Sequence, residues 1–202
     1  MQQRAIETQK KILEAAITVF AQKGLNGATV DDIAAAAGVN KQRLYAYFGS
    51  KQGLFKAALL RAFQQVELFS VQTVKQADAH PEKLTEILLQ GFIRVHAMHP
   101  SFWRLLSWAN LEGGDCVQVL KTARKAENEA LRRIFEKALR QGLLKKIRFE
   151  TYLFTLLAVS YFFYSNRLTL TCTLDAELSG GKWGKQLCED LNAVFTPEPP
   201  VS

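Results

Sequence analysis

Residues 29–51 read TVDDIAAAAGVNKQRLYAYFGSK, and this stretch predicts two short helices joined by a tight turn. Thr29 followed three residues later by Asp32 is typical of a capping box, so the first helix is predicted to start at about Val30. Gly38 is expected to stop this helix, because glycine readily adopts the left-handed conformation that closes a helix. The first of the two helices therefore has a recognisable signal at each end.

The second helix is predicted to run from just after Asn40 to about Phe48. Asn40 is a favourable N-cap, and Gly49 with Ser50 breaks the chain before Ser50 caps the next helix. Two short helices joined through a glycine-containing turn are typical of a helix-turn-helix. In that motif the second helix enters the major groove of double-stranded DNA, with its N-terminal residues at the base edges.

The positions of the charged residues favour the same interpretation. A helix N-terminus carries partial positive charge, so folding alone favours acids in the first turn. Asp31 and Asp32 satisfy this preference in the first helix. Lys41 and Arg43 in the second helix, and Lys51 in the next one, oppose it. These cations are expected there if a phosphate or a base acceptor lies in front of them; the alternative is three unrelated surface cations.

The stretch quoted above resembles the N-terminal region of TetR-family transcriptional regulators. The spacing of its Gly-Val, Leu-Tyr, Tyr-Phe and Ser-Lys pairs is similar to the pattern of that family, and the resemblance covers about residues 6–60. Beyond this region the chain resembles the family in its helical layout and its length. The resemblance implies that eight residues contact DNA: Thr29, Asn40, Lys41, Gln42, Arg43, Tyr45, Tyr47 and Lys51.

The resemblance also implies how these contacts are divided. Residues 41–43 lie where the family reads bases. Tyr45 and Tyr47 contact the DNA backbone through their hydroxyls. Thr29 caps its helix and touches a phosphate, and Lys51 grips a phosphate.

Other positions of the second helix are expected to serve folding or to set the operator sequence. Leu44 and Phe48 are expected to pack on the first helix of the chain. Arg43 stands where the family often has a small Thr, and Ala46 stands where larger residues are common. An arginine can bind guanine through two hydrogen bonds, worth about 1–3 kcal/mol of discrimination, whereas the Ala46 methyl can only touch a thymine methyl.

The composition indicates a folded protein with an anionic partner. The 202 residues are 48% hydrophobic, which is enough for a buried core, and the formal net charge is +7. Three scattered cysteines without a CxxC pair favour a reducing compartment, and charged residues near the start exclude the apolar region of a signal peptide. We expect a bacterial cytoplasmic location, with association to the nucleoid when the operator is bound.

Helical periodicity dominates the rest of the chain, and we expect an all-α fold of about nine helices. The first helix is predicted to stop at Gly24. A long fourth helix starts at about residue 51, and further helices are predicted at about 82–98, 101–111, 117–141, 150–170 and 183–195. The predicted domains are a three-helix DNA-binding domain at 1–50, a helical ligand-binding and dimerisation domain at 51–196, and a disordered tail at 197–202.

The predicted helix at 150–170 carries aromatic residues on every side. Helices that are apolar all round are buried all round, so one side is expected to cover a core or a ligand cavity and another to pack on a second copy. The family resemblance implies a four-helix dimer interface formed by 150–170 and 183–195 with their copies, and a small-molecule cavity among the preceding helices. The candidate ligand contacts are Phe92, His96, Trp103, Arg104, Asn110 and Tyr161, with Arg94 as a further polar group.

The sequence contains no catalytic constellation. His96 and His99 lie three apart on a helix, but no cysteine or carboxylate spacing completes a metal site with them. We therefore expect no enzymatic activity, no metal and no cofactor. The expected function is a dimeric repressor that a small-molecule ligand releases from a near-palindromic DNA operator. The alternative is a DNA-binding protein of the same fold that responds to a protein partner or has no inducer.

Overall fold

The computed structural model describes residues 2–174, 178 and 181–197, and in these residues all regular structure is helical. Eleven α-helices and one 3₁₀ helix are present among them. Their bounds are α1 Gln2–Gly27, α2 Val30–Ala37, α3 Lys41–Phe48, α4 Lys51–Ala79, the 3₁₀ helix Pro81–Lys83, α5 Leu84–Met98, α6 Pro100–Glu112, α7 Gly114–Val117, α8 Val119–Arg140, α9 Phe149–Ser165, α10 Arg167–Leu174 and α11 Gly181–Phe195. The predicted all-α fold is confirmed, and the predicted helix number is close.

Two predicted helices are each divided in the structure. The helix expected at 150–170 ends at Ser165, because Asn166 leaves helical geometry with φ −121° and ψ 16°. The Asn166 side-chain amide donates to Ser165 Oγ at 2.7 Å, and α10 starts at the next residue. The helix expected at 117–141 is preceded by the short α7 and begins at Val119. These two divisions account for the additional helices.

Gly24 interrupts α1 where the sequence predicts the end of the first helix. The assigned helix continues to Gly27, but Gly24 itself has φ 71° and ψ −179°, which is a left-handed φ that side chains rarely adopt. A Cβ atom at this position would lie 2.7 Å from Cε3 of Trp108 on α6. Both the backbone conformation and the close approach of Trp108 therefore require glycine.

The chain forms two compact units. Unit 1 comprises the described residues of Met1–Glu67 and His99–Arg124, and unit 2 comprises those of Leu68–Met98 and Lys125–Ser202. The units are defined by packing, whereas the predicted domains at 1–50 and 51–196 are defined by function. Of the tail predicted to be disordered, only Pro197 is among the described residues.

The core of unit 1 joins α1 to the short helices that follow it. Phe20 and Phe55 are fully buried, and their rings meet edge to face with centroids 5.1 Å apart. Ile33 of α2 and Leu44 of α3 are also buried, at 0% and 2% exposure. Each short helix therefore presents one apolar side to this core and leaves its other sides exposed.

The core of unit 2 is built around Tyr152 of α9. Its ring centroid lies 5.1 Å from that of Phe135 on α8 and 5.1 Å from that of Phe195 on α11. The Tyr152 hydroxyl shares a hydrogen bond of 3.1 Å with Thr85 Oγ1 on α5. Burial raises the pKa of Tyr152, so the hydroxyl stays neutral. These contacts bring α5, α8, α9 and α11 together.

No helix among the described residues combines the length and the apolar character that a bilayer crossing requires. The three cysteines are free thiols, with Cys116 and Cys188 buried and Cys172 exposed.

Candidate nucleic-acid interface

Hydrogen bonds from capping side chains mark the starts of α2 and α3. Thr29 Oγ1 accepts from the Asp32 N–H at 3.0 Å, and Asp32 Oδ2 accepts from the Thr29 N–H at 3.1 Å, which confirms the predicted capping box. Gly38 is left-handed with φ 65°, and Asn40 Oδ1 accepts from the Arg43 N–H at 3.0 Å. Local side chains and Gly38 therefore fix where α2 begins and ends and where α3 begins.

Helix α3 has one buried side and a large exposed side. Leu44 is its buried residue, while Tyr47 and Phe48 are half-buried with ring centroids 6.2 Å apart. The exposed side carries the residues predicted to meet DNA: Lys41, Gln42, Arg43 and Tyr45, together with Ala46. An eight-residue helix of this kind is a rigid support for a short row of polar side chains.

Lys41 has a partner within unit 1. Its Nζ lies 2.9 Å from Asp31 Oδ2, and both side chains are exposed. The hydrogen bond to Asp31 raises the pKa of Lys41, so the ammonium is charged at neutral pH. The expectation that folding alone disfavours a cation at this helix start is therefore wrong for Lys41, because Asp31 compensates its charge.

Lys51 is also engaged in the fold. Its Nζ donates to the main-chain oxygen of Ala28 at 3.1 Å, and its side chain is half-buried. The bond joins the start of α4 to the segment just before α2, so the same expectation is wrong for Lys51. An ammonium group has several N–H donors, so a bond to Ala28 leaves others for a phosphate.

Arg43 differs from the two lysines. Its side chain is exposed, and its guanidinium makes no salt bridge to any residue that the structure describes. Arg43 lies in the first turn of α3, where a helix-turn-helix places base-reading residues. It is the cation of this surface whose position folding does not explain.

Lys23 contributes to the site although the sequence analysis did not select it. Its Nζ lies 2.9 Å from Asp32 Oδ2 and so connects α1 to the capping box of α2. The hydrogen bond from Lys23, and then those from Thr29, hold the pKa of Asp32 below its ordinary value. No sequence signal marks this pair, because Lys23 and Asp32 lie on different helices.

The predicted ligand contacts divide between the two units. Trp103, Arg104 and Asn110 lie in unit 1, whereas Phe92, His96 and Tyr161 lie in unit 2. His96 is 6% exposed, and its ring centroid is 5.9 Å from that of Tyr161. In unit 1, Asn110 is exposed and donates to the Leu106 oxygen of its own helix at 3.0 Å. The six residues therefore do not form one cluster within either unit.

Unit 2 contains a cavity of about 500 Å³ that opens to solvent. Helices α5, α9, α10 and α11 contribute to its wall, as does Leu178. The described lining residues are Gln90, Ile93, Arg94, Phe163, Tyr164, Arg167, Leu178, Gly184, Lys185 and Cys188. Of the polar groups named from the sequence, Arg94 lines it; ligand contact by the six other candidates stays a prediction.

Among the described residues, no group of three or more His, Cys, Asp or Glu side chains could hold a metal ion. His96 and His99 therefore belong to no such cluster in that part of the chain.

Comparison with known proteins agrees with this geometry in both parts of the chain. Residues 12–58 match the family model for bacterial regulatory proteins of the tetR family. Residues 81–189, more than half of the chain, match the tetracyclin repressor-like C-terminal domain. The first match contains the whole α2–turn–α3 surface.

Individual relatives agree with the family models. The chain is 31% identical to the HTH-type transcriptional repressor NicS of Pseudomonas putida over 184 residues, which are 88% of this chain and 85% of NicS. It is 36% identical to the HTH-type transcriptional repressor SCO4008 of Streptomyces coelicolor over 53% of this chain and 52% of the relative. The crystal structure of the regulator SCO4942 from Streptomyces coelicolor matches with a TM-score of 0.69 at 25% identity, covering 95% of this chain and 99% of that one.

Fold, surface and relatives together define a helix-turn-helix transcriptional regulator. The chain belongs to the TetR family. It is a DNA-binding regulatory protein and not an enzyme.

Proposed function

We propose that this protein is a dimeric repressor that reads a near-palindromic operator with α3 and leaves it when unit 2 binds a small molecule. The observation that carries the proposal is the exposed row of polar side chains on α3, a helix that is anchored to the core of unit 1 by the buried Leu44. Most of these side chains are surplus to folding, which is the property expected of a surface that serves a partner. The repressors NicS and SCO4008 favour repression as its mode of regulation.

Base reading is assigned to the first turn of α3. Residues 41–43 are exposed there, and a recognition helix places its N-terminal residues against base edges. The exposed Arg43 guanidinium suits a guanine, which it can bind through two hydrogen bonds. Lys41 reaches a base or a phosphate with an ammonium that Asp31 holds at 2.9 Å in the free protein.

Backbone contacts are assigned to the residues around the turn. Tyr45 is exposed and Tyr47 half-exposed, so their hydroxyls can donate to phosphates from the sides of α3. Thr29 and Asn40 lie at the starts of α2 and α3, where helix N-termini favour phosphate. Lys51 adds a cation while it keeps its bond to Ala28. These contacts position α2 and α3 on the DNA and carry little information about its base sequence.

Dimerisation is assigned to the exposed apolar side of α9 and α11, which correspond to the predicted pair at 150–170 and 183–195. Phe154 and Phe162 of α9 are 70% and 52% exposed, and Val194 of α11 is 57% exposed. Such residues are costly to leave in water and are suited to a self-complementary two-fold contact. A two-fold dimer presents two copies of α3 to half-sites about 34–36 Å apart, or a multiple of that spacing.

Release from DNA requires a ligand that binds the DNA-competent and the released states with different affinity. The cavity of unit 2 is large enough for a small molecule, since ligand sites are commonly about 300–1,000 Å³. The proposal also includes ligand contacts by six residues predicted from the sequence: Phe92, His96, Trp103, Arg104, Asn110 and Tyr161.

Selection of bound sequences from a random DNA pool tests the operator proposal. The wild-type protein is expected to enrich a near-palindrome. Arg43→Ala is expected to lose preference at one base pair in each half-site, worth about 1–3 kcal/mol, and to keep the rest of the motif. Arg133→Ala is a suitable control, because Arg133 is an exposed arginine on α8 in unit 2.

Lys51→Ala separates positioning from reading in the same assay. It is expected to weaken all sequences alike and to lower the dependence of log K on log salt by about 1 for each phosphate that the variant no longer neutralises. An Arg43→Ala protein whose base preference is unchanged at every position would exclude Arg43 as a base reader. A wild-type protein that enriches no motif would overturn the operator proposal itself.

A further inference from the structure

The described lining of the unit 2 cavity includes three cationic residues. Arg94 of α5 and Arg167 of α10 line it, and both side chains are exposed. Lys185 of α11 is a third cation in the lining, although its Nζ also lies 3.7 Å from Glu189. None of the described lining residues carries a carboxylate. Two arginines therefore line one cavity without an acidic partner in the described wall.

The inner wall of the cavity is apolar. Leu178 and Cys188 are buried, and Ile93 and Phe163 are half-buried. Burial raises the pKa of the Cys188 thiol, so at neutral pH it contributes an uncharged, weakly polar surface. A molecule that fills this space therefore meets hydrocarbon and sulfur inside and cations at the entrance.

Neutral polar groups of the wall add hydrogen-bonding capacity near the entrance. Burial raises the pKa of Tyr164, so its hydroxyl remains protonated and can donate to an acceptor. The Gln90 amide donates to Glu86 Oε1 at 3.0 Å, so this carboxylate of α5 already has a hydrogen-bond partner. Among the described lining residues, Arg94, Tyr164 and Arg167 can therefore donate to an acceptor.

We infer that this cavity binds a small organic anion with an apolar body, whose carboxylate or sulfonate head pairs with Arg94 and Arg167. The inference rests on the proposed function, because it names the chemical class of the effector. A ligand that covers the opening takes two guanidinium groups out of water, and this is costly unless an anion replaces their hydration. A carboxylate or a sulfonate presents at least two oxygens to the fork of donors that arginine carries.

The cavity is compatible with the proposed dimer. At about 100° per residue, Phe163 lies on the side of α9 opposite Phe154, which is the exposed residue assigned to the dimer interface. The cavity side is also the side of Tyr152 and Leu156, which are buried in unit 2. The cavity residue Phe163 and the interface residue Phe154 therefore lie on different sides of α9, whereas Phe162 lies about 100° from Phe163.

Two fluorescent probes that differ in charge test the inference on the full chain without DNA. They are 8-anilinonaphthalene-1-sulfonate, an aromatic anion, and N-phenyl-1-naphthylamine, which has the same rings without the sulfonate. The double variant Arg94→Gln/Arg167→Gln is expected to bind the anionic probe at least about tenfold more weakly, since charge-assisted hydrogen bonds are lost. Its affinity for the neutral probe should stay within about twofold. Arg133→Gln removes an exposed arginine elsewhere in unit 2 and should change neither affinity.

A second variant tests the location without altering charge. A Cβ at Gly184 meets no atom within 4 Å, so Gly184→Leu is expected to fold and to occupy the cavity. It should weaken both probes at least about tenfold. Unchanged binding of the anionic probe to the double arginine variant, or of both probes to Gly184→Leu, would overturn the inference.

Operator affinity of the same variants, measured without probe, separates this inference from the proposed function. If the variants bind the operator normally and the probe results fail, the anion site is wrong and the repressor proposal stands. If the wild type binds no operator while the probes behave as expected, the cavity assignment stands and its role as an effector site is wrong.

Discussion

Helices α3 and α9 differ in how their sides are used. Helix α3 buries Leu44 and exposes polar side chains on the rest of its surface. Helix α9 is apolar on both its buried and its exposed sides, with Tyr152 fully buried and Phe154 exposed. On α3 the residue type shows whether a position serves the core or a partner. On α9 residue type does not distinguish the two, and only the packing of unit 2 does.

The largest effect is expected at the buried side of α3. Leu44→Ala should lower the free energy of unfolding by about 2–5 kcal/mol, because it leaves a cavity beside a core that excludes water. Urea unfolding at a fixed protein concentration measures this loss. Tyr45→Ala is the matched control, since its side chain is exposed and its stability should change by about 0.5 kcal/mol or less. Equal costs for the two substitutions would contradict the division of α3 into a core side and a partner side.

A smaller effect is expected at the exposed side of α9. Phe154→Glu places a charge where the proposed dimer buries an aromatic ring, so it should weaken dimerisation by at least about 2 kcal/mol. Light scattering after size-exclusion chromatography should then show monomers at concentrations where the wild type is dimeric. Gln141→Glu adds a charge at an exposed position just beyond α8 and should leave the dimer intact. A dimeric Phe154→Glu protein would remove this side of α9 from the interface.

The local part of the fold could be predicted because its signals are close in sequence. Thr29, Asp32 and Asn40 make their capping bonds to backbone groups three residues away. Each bond spans only three residues, so spacing alone placed α2 and α3 correctly. The division after Ser165 could not be predicted in this way, because apolar residues continue on both sides of Asn166.

The site in unit 2 depends on contacts between distant parts of the chain. Four helices contribute Arg94, Tyr164, Arg167 and Lys185, and of these only Tyr164 and Arg167 are close in sequence. Sequence reasoning selected Arg94 as a polar group but had no signal for the other three. The same limit applies to Lys41 and Lys51, whose bonds to Asp31 and Ala28 are contacts between different segments. Such contacts explain why two of the three cations have a role in folding.

The smallest effect is expected at the capping box that begins α2. The pKa of Asp32 is held below its ordinary value of 3.8, first by the hydrogen bond from Lys23 and then by those from Thr29. A carboxyl group with a lowered folded-state pKa stabilises the protein above its unfolded-state pKa, and this stabilisation is lost as pH falls through the folded-state pKa. Asp32→Asn should therefore be less stable than the wild type at neutral pH, and the difference should shrink below about pH 4.

The pH dependence can be traced to its largest cause with a second variant. Lys23→Gln removes the main donor to Asp32, so it should reduce the stability difference between the wild type and Asp32→Asn at neutral pH, where the carboxylate is ionised. Urea midpoints of the wild type, the two single variants and the double variant give this coupling. They are measured from neutral pH to below the ordinary pKa of Asp32. A stability difference that persists unchanged through the acid range would show that the ionised carboxylate is not what the cap requires. In that case the cap of α2 depends on the Thr29 hydroxyl, and its contribution to stability should be independent of pH.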